Sequence, residues 1–407
     1  MAILKNIPLV TAIAASFTLL TSASAEAFTF VEIANTNAPE FTDIDTSAYA
    51  INDLGEVAFV GDTMGQSGIF VGDGGAISTV VDPAEGFDNI AFVDINSAGT
   101  TVFHDINTTA IYTVNGGVIT PILNEGSSLG QIGFTIGGFV PLDSPVINEA
   151  GVVAFKAANS DIDREGVYVI EGGVVTTIVD DPNIDIFRFA LNNNGEVAFS
   201  GLESVTNLTT DGLGAFFSDG MGPLIAFPDP LEFGTDFATV EGPTLNDDGT
   251  VAFDRLFIDD MGNPRQGIFT QNSEGAVLIV DDSGEFSNSF QRPAINNQGN
   301  IVFAAGLDVG SPGIYTGPDP VADRLIGIGD MLFGATITGL SFTQQTGLNN
   351  QGQIAFTASF DDGSVGIFRA DPEDSDMPSV PEPMSVLGLL AVGAAGVVAQ
   401  RHTSSKA

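Results

Sequence analysis

One pattern of apolar and polar residues recurs seven times along the 407-residue chain. Each copy has Ile or Leu, then Asn, then Gly three residues after the Asn and Phe four residues after the Gly, as in Ile51-Asn52-Asp53-Leu54-Gly55-Glu56-Val57-Ala58-Phe59. The glycines lie 44 to 54 residues apart, at positions 55, 99, 151, 195, 249, 299 and 352. An Asn that bonds its own backbone and a Gly at positive φ predict a hairpin turn, after which the Phe lies on the buried strand face.

Each repeat contains further strand patterns. A short run after the Phe strand ends in an aromatic residue, as in Gly68-Ile69-Phe70, and a turn at Asp73-Gly74-Gly75 leads to the β-branched run Ile77–Val81. A fourth strand then ends at the next Asn. Four strands in about 50 residues, repeated seven times, predict an all-β, seven-bladed β-propeller over residues 26–370. A right-handed β-solenoid is the alternative.

The two ends of the repeat region favour the propeller. The seventh repeat stops after Gly366-Ile367-Phe368, so its last strand is missing, whereas Phe28–Ala34 forms an extra strand pattern before the first repeat. If this N-terminal strand completes the last blade, the ring closes and two exposed sheet edges disappear. A solenoid does not require such a displaced strand.

The predicted strand order also assigns two faces to the ring. If the strand that ends at each Asn is innermost, the Asn turns share one face with the Gly-Gly turns. The opposite face carries the loops between the second and third strands, which vary most at Lys156–Glu165, Ser200–Gly214 and Asp254–Gln266. Because binding residues concentrate on variable loops, we expect function on that face and a structural role for the repeated Asn and Gly.

The charge of the chain is strongly acidic. Without Lys5, Arg401 and Lys406, eight basic residues face 52 acidic ones, which gives a formal charge of −44. Such a surface repels nucleic acid and anionic membranes and attracts divalent cations or cationic partners. The chain is nevertheless 43% apolar and only 15% charged, so it can bury a large core, and its 31 Phe suit packing.

Few residues are suited to catalysis. The chain has no Cys, and His104 is its only histidine before the C-terminal tail, which argues against Ser/His/Asp and Cys/His sites. No phosphate-binding loop, dinucleotide fingerprint or His-rich metal motif is present. We therefore expect a protein that is not an enzyme.

Aspartates are the remaining candidates for chemistry. On the predicted variable-loop face they form three pairs, which are Asp161 and Asp163, Asp259 and Asp260, and Asp361 and Asp362. Their oxygens suit Ca²⁺, the one candidate cofactor, or an acid/base pair of a glycosidase. No complete EF-hand spacing is present and the chain has no Trp to hold a sugar, so solvated loop charge remains an alternative.

Both ends of the chain predict export. Lys5 precedes the apolar run Ile7–Leu20, and Ala23-Ser24-Ala25 forms a cleavage site for signal peptidase. Residues 1–25 therefore read as a signal peptide, with an N-terminal membrane anchor as the alternative. The other end has an acidic linker at residues 371–380, then Pro381-Glu382-Pro383, the apolar run Met384–Ala399, and Arg401 and Lys406.

The segment 381–407 resembles the PEP-CTERM sorting signal of exported bacterial proteins. In that family a Pro-Glu-Pro triplet, one transmembrane helix and a basic tail present the protein to a membrane exosortase. Sixteen apolar residues form a helix of roughly 24 Å, which spans a bilayer with thinning or snorkelling. Arg401 and Lys406 would stop transfer on the cytoplasmic side. The tail departs from the Arg-rich cluster of the family.

The resemblance implies a location and a class of function. We expect transient anchoring in the inner membrane by the C-terminal helix, then release to the cell surface or extracellular matrix. The repeat phrase also resembles that of uncharacterised PEP-CTERM proteins with propeller domains. These features favour a non-enzymatic binding or structural propeller, with extracellular polysaccharide as a candidate partner. The alternative is a Ca²⁺-dependent hydrolase or lyase that acts on extracellular polymers.

Overall fold

The protein has an all-β, propeller-like fold, as the repeat pattern predicted. The computed structural model describes residues 28–373, apart from residues 88, 108–109, 124–127, 130–131, 136–144, 160–163, 180–183, 204–212, 219–224, 227–239, 260 and 344. Within these residues the chain forms 31 strands and one turn of 3₁₀ helix at Pro83–Glu85. The strands make seven separate antiparallel sheets.

The strands follow one another sheet by sheet. After β1 (Phe28–Asn35), the first sheet contains β2 (Asp43–Ile51), β3 (Val57–Thr63), β4 (Gln66–Gly72) and β5 (Ser78–Val81). The second contains β6 (Ile90–Ile95), β7 (Thr101–Asp105), β8 (Ala110–Asn115) and β9 (Val118–Leu123). The third contains β10 (Ser128–Leu129), β11 (Ile132–Thr135), β12 (Val146–Ile147), β13 (Val153–Asn159), β14 (Arg164–Glu171) and β15 (Val174–Val179).

The remaining four sheets continue this order. The fourth contains β16 (Ile184–Leu191), β17 (Val197–Glu203), β18 (Leu213–Ser218) and β19 (Ile225–Ala226). The fifth contains β20 (Val240–Leu245), β21 (Val251–Ile258), β22 (Pro264–Asn272) and β23 (Gly275–Asp281). The sixth contains β24 (Gln291–Ile295), β25 (Ile301–Ala305), β26 (Gly313–Tyr315) and β27 (Arg324–Gly327). The seventh contains β28 (Met331–Leu332), β29 (Ala335–Ser341), β30 (Ile354–Phe360) and β31 (Val365–Pro372).

The N-terminal strand completes the seventh sheet. This sheet has the order β1-β31-β30-β29-β28, with β1 antiparallel to β31 from the pair Phe28 and Pro372 to the pair Asn35 and Gly366. A bulge between Glu32 and Ala34 shifts the register. The predicted pairing of Phe28–Ala34 with the Gly366-Ile367-Phe368 strand is therefore confirmed. The ends of the repeat region are thus joined by backbone hydrogen bonds.

The repeated turn has the predicted geometry in all seven copies. The seven glycines have φ between 72° and 81°, a region that side-chain-bearing residues avoid. In each copy the Asn side-chain oxygen accepts a hydrogen bond from the backbone N–H four residues later. The Phe that follows is at most 4% exposed in every copy. The repeat phrase therefore encodes a hairpin turn and one core residue per sheet.

The seven repeated Asn side chains also link the sheets to each other. Each Nδ2 donates to the backbone oxygen of the equivalent Asn in the next sheet, over 2.8 to 3.3 Å. The last of these bonds runs from Asn349 back to Asn52, so the seven bonds form a closed cycle. All seven residues are at most 5% exposed. We call this cycle the asparagine ring; its members are Asn52, Asn96, Asn148, Asn192, Asn246, Asn296 and Asn349.

A segment of the seventh sheet lies inside the channel that the innermost strands surround. In this sheet the innermost strand, β29, ends at Ser341, and residues 342–347 intervene before the Asn turn. The backbone oxygen of Thr346 accepts from Ile51 N–H of the first sheet, and Gln345 Nε2 donates to Leu191 oxygen of the fourth. We call residues 345–347 the channel segment. Its contacts with two other sheets show that it fills the centre of the ring.

The loops predicted to be the most variable are shorter than expected. The sequence interpretation placed a loop at Asp254–Gln266, but β21 and β22 remain paired as far as Ile258 and Pro264. This extension buries Phe257, which is 9% exposed. The pairs Asn159 with Arg164 and Leu202 with Leu213 extend the other two hairpins in the same way. Burial of the Phe257 side chain explains the longer hairpin in the fifth sheet.

Both predicted export signals lie outside the described residues. These are the signal peptide at 1–25, the Pro381-Glu382-Pro383 triplet, the apolar run 384–399, and Arg401 and Lys406. Strand β31 continues to Pro372, where the compact unit ends, so Asp371 belongs to the sheet and not to the predicted linker. Among the described residues, no helix has the length and hydrophobicity needed to cross a membrane.

The asparagine ring predicts a large effect of one amide-to-acid substitution. In Asn192→Asp, a carboxylate oxygen replaces the donor that faces Asn246 oxygen at 3.0 Å and Glu196 Oε2 at 2.6 Å. We expect a loss of about 2–3 kcal/mol in the free energy of unfolding, because a buried acceptor is left without its donor. The measurement is chemical denaturation at neutral pH. The control is Asn194→Asp, an identical change at an exposed residue two positions later. Equal losses in both variants would contradict a stabilising role of the ring.

Candidate functional site at the channel mouth

The asparagine ring surrounds a pocket at one mouth of the channel. The pocket has a volume of about 120 Å³, and the channel segment contributes Gln345 and Thr346 to its lining. The innermost strands provide Ile51, Ile95 and other apolar side chains below the turns. The remaining lining consists largely of amides and carboxylates from the Asn turns. The site is therefore built by the repeat itself, on the face that carries the Asn turns.

A second series of hydrogen bonds runs around part of this mouth. In six of the seven copies, the residue directly after the repeated Asn donates its backbone N–H to the side-chain oxygen of the equivalent residue in the next sheet. Six such bonds of 2.8 to 3.0 Å lead in order through Ser97, Glu149, Asn193, Asp247, Asn297, Asn350 and Asp53. These side chains therefore join neighbouring sheets, as the asparagine ring does one layer deeper.

The pocket carries negative charge. Its lining includes the carboxyl groups of Asp53, Asp94, Glu149 and Asp247, and none of the described residues that line it is Lys or Arg. Three of these groups accept hydrogen bonds from the neighbouring sheets. Asp247 accepts from Asn193 and Asn297, Asp53 accepts from Asn350, and Glu149 accepts from Ser97. Much of the acceptor capacity of these carboxylates is therefore used between sheets.

Asp94 is the one carboxyl group buried below the mouth. It is 7% exposed, and its two oxygens accept from the backbone N–H groups of Ile95 in the same strand and Ile147 in the next sheet, both at 2.8 Å. Burial raises the pKa of Asp94 from 3.8 to about 7, the two N–H donors oppose this shift, and the nearby Glu149 adds to it. Asp94 is therefore partly protonated near neutral pH.

The geometry of the mouth suits a structural junction more than a reaction centre. Pockets that bind small molecules usually have volumes of about 300–1,000 Å³, whereas this one is less than half as large as the lower bound. It has space for a few water molecules. Within the described residues, no group of three or more His, Asp or Glu side chains is placed to hold a metal ion. The acidic side chains at the mouth contribute chiefly to contacts between sheets.

Of the predicted calcium ligands, the structure describes Asp259, Asp361 and Asp362, which lie in hairpin turns of the opposite face. Asp259 begins the turn between β21 and β22, where it accepts from Met261 N–H and from the backbone and side chain of Asn263. The Asn263 N–H is the largest of the causes that lower the pKa of Asp259 to about 2. Arg265 also donates to it at 3.3 Å. Asp161, Asp163 and Asp260 lie outside the described residues.

The pair Asp361 and Asp362 occupies the turn between β30 and β31. Asp361 accepts from Thr336 N–H, and Asp362 accepts from Asn37 Nδ2 and from the backbone and hydroxyl of Ser364. The Ser364 hydroxyl is the main cause that holds the pKa of Asp362 below its usual value. Both carboxylates accept hydrogen bonds within or beside the turn, and calcium binding by them remains a prediction.

Two features of the mouth were not predicted from the sequence, although the aligned repeats show a pattern for each of them. The residue after the repeated Asn is polar in all seven copies, as the order Asp53, Ser97, Glu149, Asn193, Asp247, Asn297 and Asn350 shows. Asp94 was also visible, because the residue two positions before the Asn is Ala, Val, Thr or Gly in the other six copies. A column-by-column comparison of the repeats would have identified both.

Asp94 predicts a specific dependence of stability on pH. Because its pKa is raised in the folded state, the stability it contributes is complete below about pH 4 and is lost as the pH rises through about 7. Asn cannot ionise, so we expect Asp94→Asn to become more stable relative to the wild type as the pH rises from about 5 to about 8. Chemical denaturation across this range measures the difference. The control is Asp73→Asn in an exposed turn. Parallel pH profiles of Asp94→Asn and the wild type would refute the prediction.

Comparisons with known proteins identify the family and no activity. Solved structures similar to this chain include virginiamycin B lyase from Staphylococcus aureus, with 14% identity over 84% of this chain and 99% of the lyase and a TM-score of 0.43. The polysaccharide lyase Uly1 is 11% identical over 88% of this chain and 94% of its own, with a TM-score of 0.46. A GH74 xyloglucanase from Xanthomonas campestris is 11% identical over 83% of this chain and 56% of its own, with a TM-score of 0.45.

Similarities this low indicate neither a shared activity nor a shared ligand. No curated protein matches the sequence. The profile of a family of unknown function, DUF7453, matches residues 10–184, 183–319 and 317–387, which together make up most of the chain. The protein therefore belongs to the family DUF7453.

Proposed function

We propose that the protein is an exported, exosortase-processed component of the cell envelope or extracellular matrix. Its β-propeller acts as a binding or structural module and not as an enzyme. The observation that carries this proposal is that the polar side chains at the channel mouth form hydrogen bonds between neighbouring sheets. Asp53, Glu149 and Asp247 accept hydrogen bonds from neighbouring sheets, so these carboxylates fasten the ring together.

We further propose that the seven sheets are the blades of one closed propeller. The asparagine ring supports this count, because its seven bonds pass once through every sheet and return to Asn52. The pairing of β1 with β31 supports closure by the N-terminal strand. A ring closed by both features presents no unpaired edge between its first and last blades, which suits an extracellular protein without disulfides.

The two ends of the sequence support export and processing. The signal-peptide pattern before residue 26 implies signal peptidase as a partner, and the Pro381-Glu382-Pro383 triplet with the apolar run 384–399 implies an exosortase. Strand β31 ends at Pro372 beside the Asn turn of the seventh sheet, where Gln353 Nε2 donates to Asp371. The chain thus leaves the propeller on the Asn-turn face, and the hairpin turns of the other face stay clear of this exit.

A Ca²⁺-dependent hydrolase or lyase of extracellular polymers is the second candidate. Asp94 favours it, since a carboxyl group with a pKa of about 7 near Glu149 is suited to general acid/base chemistry. The binding function is the better supported of the two, because both Asp94 oxygens already accept backbone hydrogen bonds. Release of soluble sugar from an extracellular polysaccharide by the wild type with Ca²⁺, and its loss in Asp94→Asn, would decide for the enzyme.

The sorting proposal predicts a precursor trapped in the membrane. Replacement of Pro381, Glu382 and Pro383 by Ala removes the extended triplet that the processing enzyme is expected to recognise. In a host with an exosortase, we expect this variant to stay in the inner-membrane fraction. The wild type should reach the surface with a C-terminus near the triplet, as determined by mass spectrometry. The control replaces Ser404 and Ser405 by Ala in the tail. A surface form that retains residues 384–407 would refute the proposal.

A further inference from the structure

A second pocket lies where the N-terminal strand closes the seventh sheet. It has a volume of about 410 Å³, within the usual range for small-molecule sites. One wall consists of the end of β1 and the residues after it, including Glu32, Asn35 and Asn37. The other consists of the hairpin between β28 and β29, with Phe333, and of the turn that holds Asp362. We call this the closure pocket. It is on the face opposite the asparagine ring.

Phe333 presents an aromatic ring to this pocket. Its side chain is 59% exposed, although large aromatic residues are usually buried. The ring lies parallel to that of Phe368, with 5.7 Å between centroids and 17° between planes, and Phe368 is completely buried. One face of Phe333 is therefore fixed against the core while much of the rest of the ring is accessible. The result is a flat apolar platform with a defined orientation.

The backbone at Phe333 is strained. Phe333 and Gly334 form the two-residue turn between β28 and β29, with φ of +48° and +93°. Positive φ at both positions is typical of a type I′ turn, which favours Asn, Asp or Gly at the first position. A Phe there is disfavoured, because its side chain crowds the backbone at positive φ. The turn geometry does not explain this residue, because Asn would form the same turn without the strain.

Polar groups surround the platform. Asp362 is oriented by Ser364 and by Asn37 Nδ2, which donates at 3.0 Å, and Asn35 accepts from Asn37 N–H at 2.8 Å. Glu32 and Asn37 are exposed, and Asn35 is half-buried. Asn35 Nδ2 also donates to Glu32 Oε2 at 3.4 Å, so the amides and carboxylates form one hydrogen-bonded group that lines the pocket. Each carboxylate has about four acceptor sites, more than these bonds use. Hydroxyl groups are well suited to such partners, whereas an anionic ligand would be repelled by Glu32 and Asp362.

We propose that the closure pocket binds a pyranose ring of an uncharged polysaccharide. The C–H face of the sugar packs on Phe333, and its hydroxyls bond to Asp362, Asn37 and Glu32. This inference rests on the proposed binding function and names the ligand class. The absence of Trp does not oppose it, since a Phe ring offers the same kind of flat apolar face. The alternative role of Phe333 is to cover Phe368.

The test separates recognition from packing by one substitution. The full-length chain in detergent is titrated calorimetrically with cellohexaose, maltohexaose and mannohexaose, and with hexagalacturonate as an anionic probe. We expect the wild type to bind at least one neutral hexaose and not the anionic one. Phe333→Asn keeps the type I′ turn and removes the platform, so its affinity for that hexaose should fall by about tenfold. Phe333→Tyr should retain the affinity.

A matched control is available in the first sheet. Met64 and Gly65 form an equivalent two-residue turn with φ of +54° and +82°, away from the pocket. Met64→Asn should relieve the same kind of strain and leave sugar affinity unchanged. Both Asn variants are checked by thermal melting. Loss of cooperative melting in Phe333→Asn alone, with binding also lost in Phe333→Tyr, would assign Phe333 a packing role and overturn the proposal.

The remaining outcomes distinguish this inference from the proposed function. If the wild type binds a hexaose and Phe333→Asn binds it equally well, the closure pocket is the wrong site while the binding function stands. If the wild type binds none of the neutral hexaoses, the ligand class is wrong. If the wild-type surface form keeps residues 384–407, the sorting proposal fails independently of either sugar result.

Discussion

Seven buried carboxamides in a closed cycle are the constraint on which this fold depends. A buried amide without partners costs more than a hydrogen bond returns, so each ring Asn must be bonded on both its oxygen and its nitrogen. The oxygen holds the local turn, and the nitrogen reaches the next sheet. Local and long-range structure are therefore coupled in a single side chain, and the nitrogen loses its inter-sheet acceptor unless the neighbouring sheet is present.

This arrangement has a consequence for where ligands can bind. The centre of the ring is occupied by the asparagine ring, the series of hydrogen bonds above it and the channel segment, and the pocket left at the mouth has space for only a few waters. Recognition is then expected away from the centre. The closure pocket lies away from the centre, as expected. It is lined by the N-terminal strand, the hairpin between β28 and β29, and the turn after β30. The residues that line this pocket lie outside the repeat phrase, so the repeated residues do not form it.

The fold could be predicted from sequence because the repeated residues each allow few backbone conformations or few positions relative to the core. Gly at positive φ, a bonded Asn and a buried Phe each restrict the backbone or the core, so the turns at Gly55 and its equivalents and the pairing of β1 with β31 could be predicted. The contact between Asn192 and Asn246 could not, because it depends on how sheets are arranged around an axis. Likewise, nothing local to Gln345 indicates that it bonds to Leu191 in a distant sheet.

The pairing of Phe28 with Pro372 bears on how the chain can fold. Both ends of the propeller emerge at the same place, so the ring can close without either end being threaded through a loop. A chain held at both termini is free to reach this topology, because closure only requires two strands to come side by side. A constraint on the two ends and completion of the fold are therefore compatible.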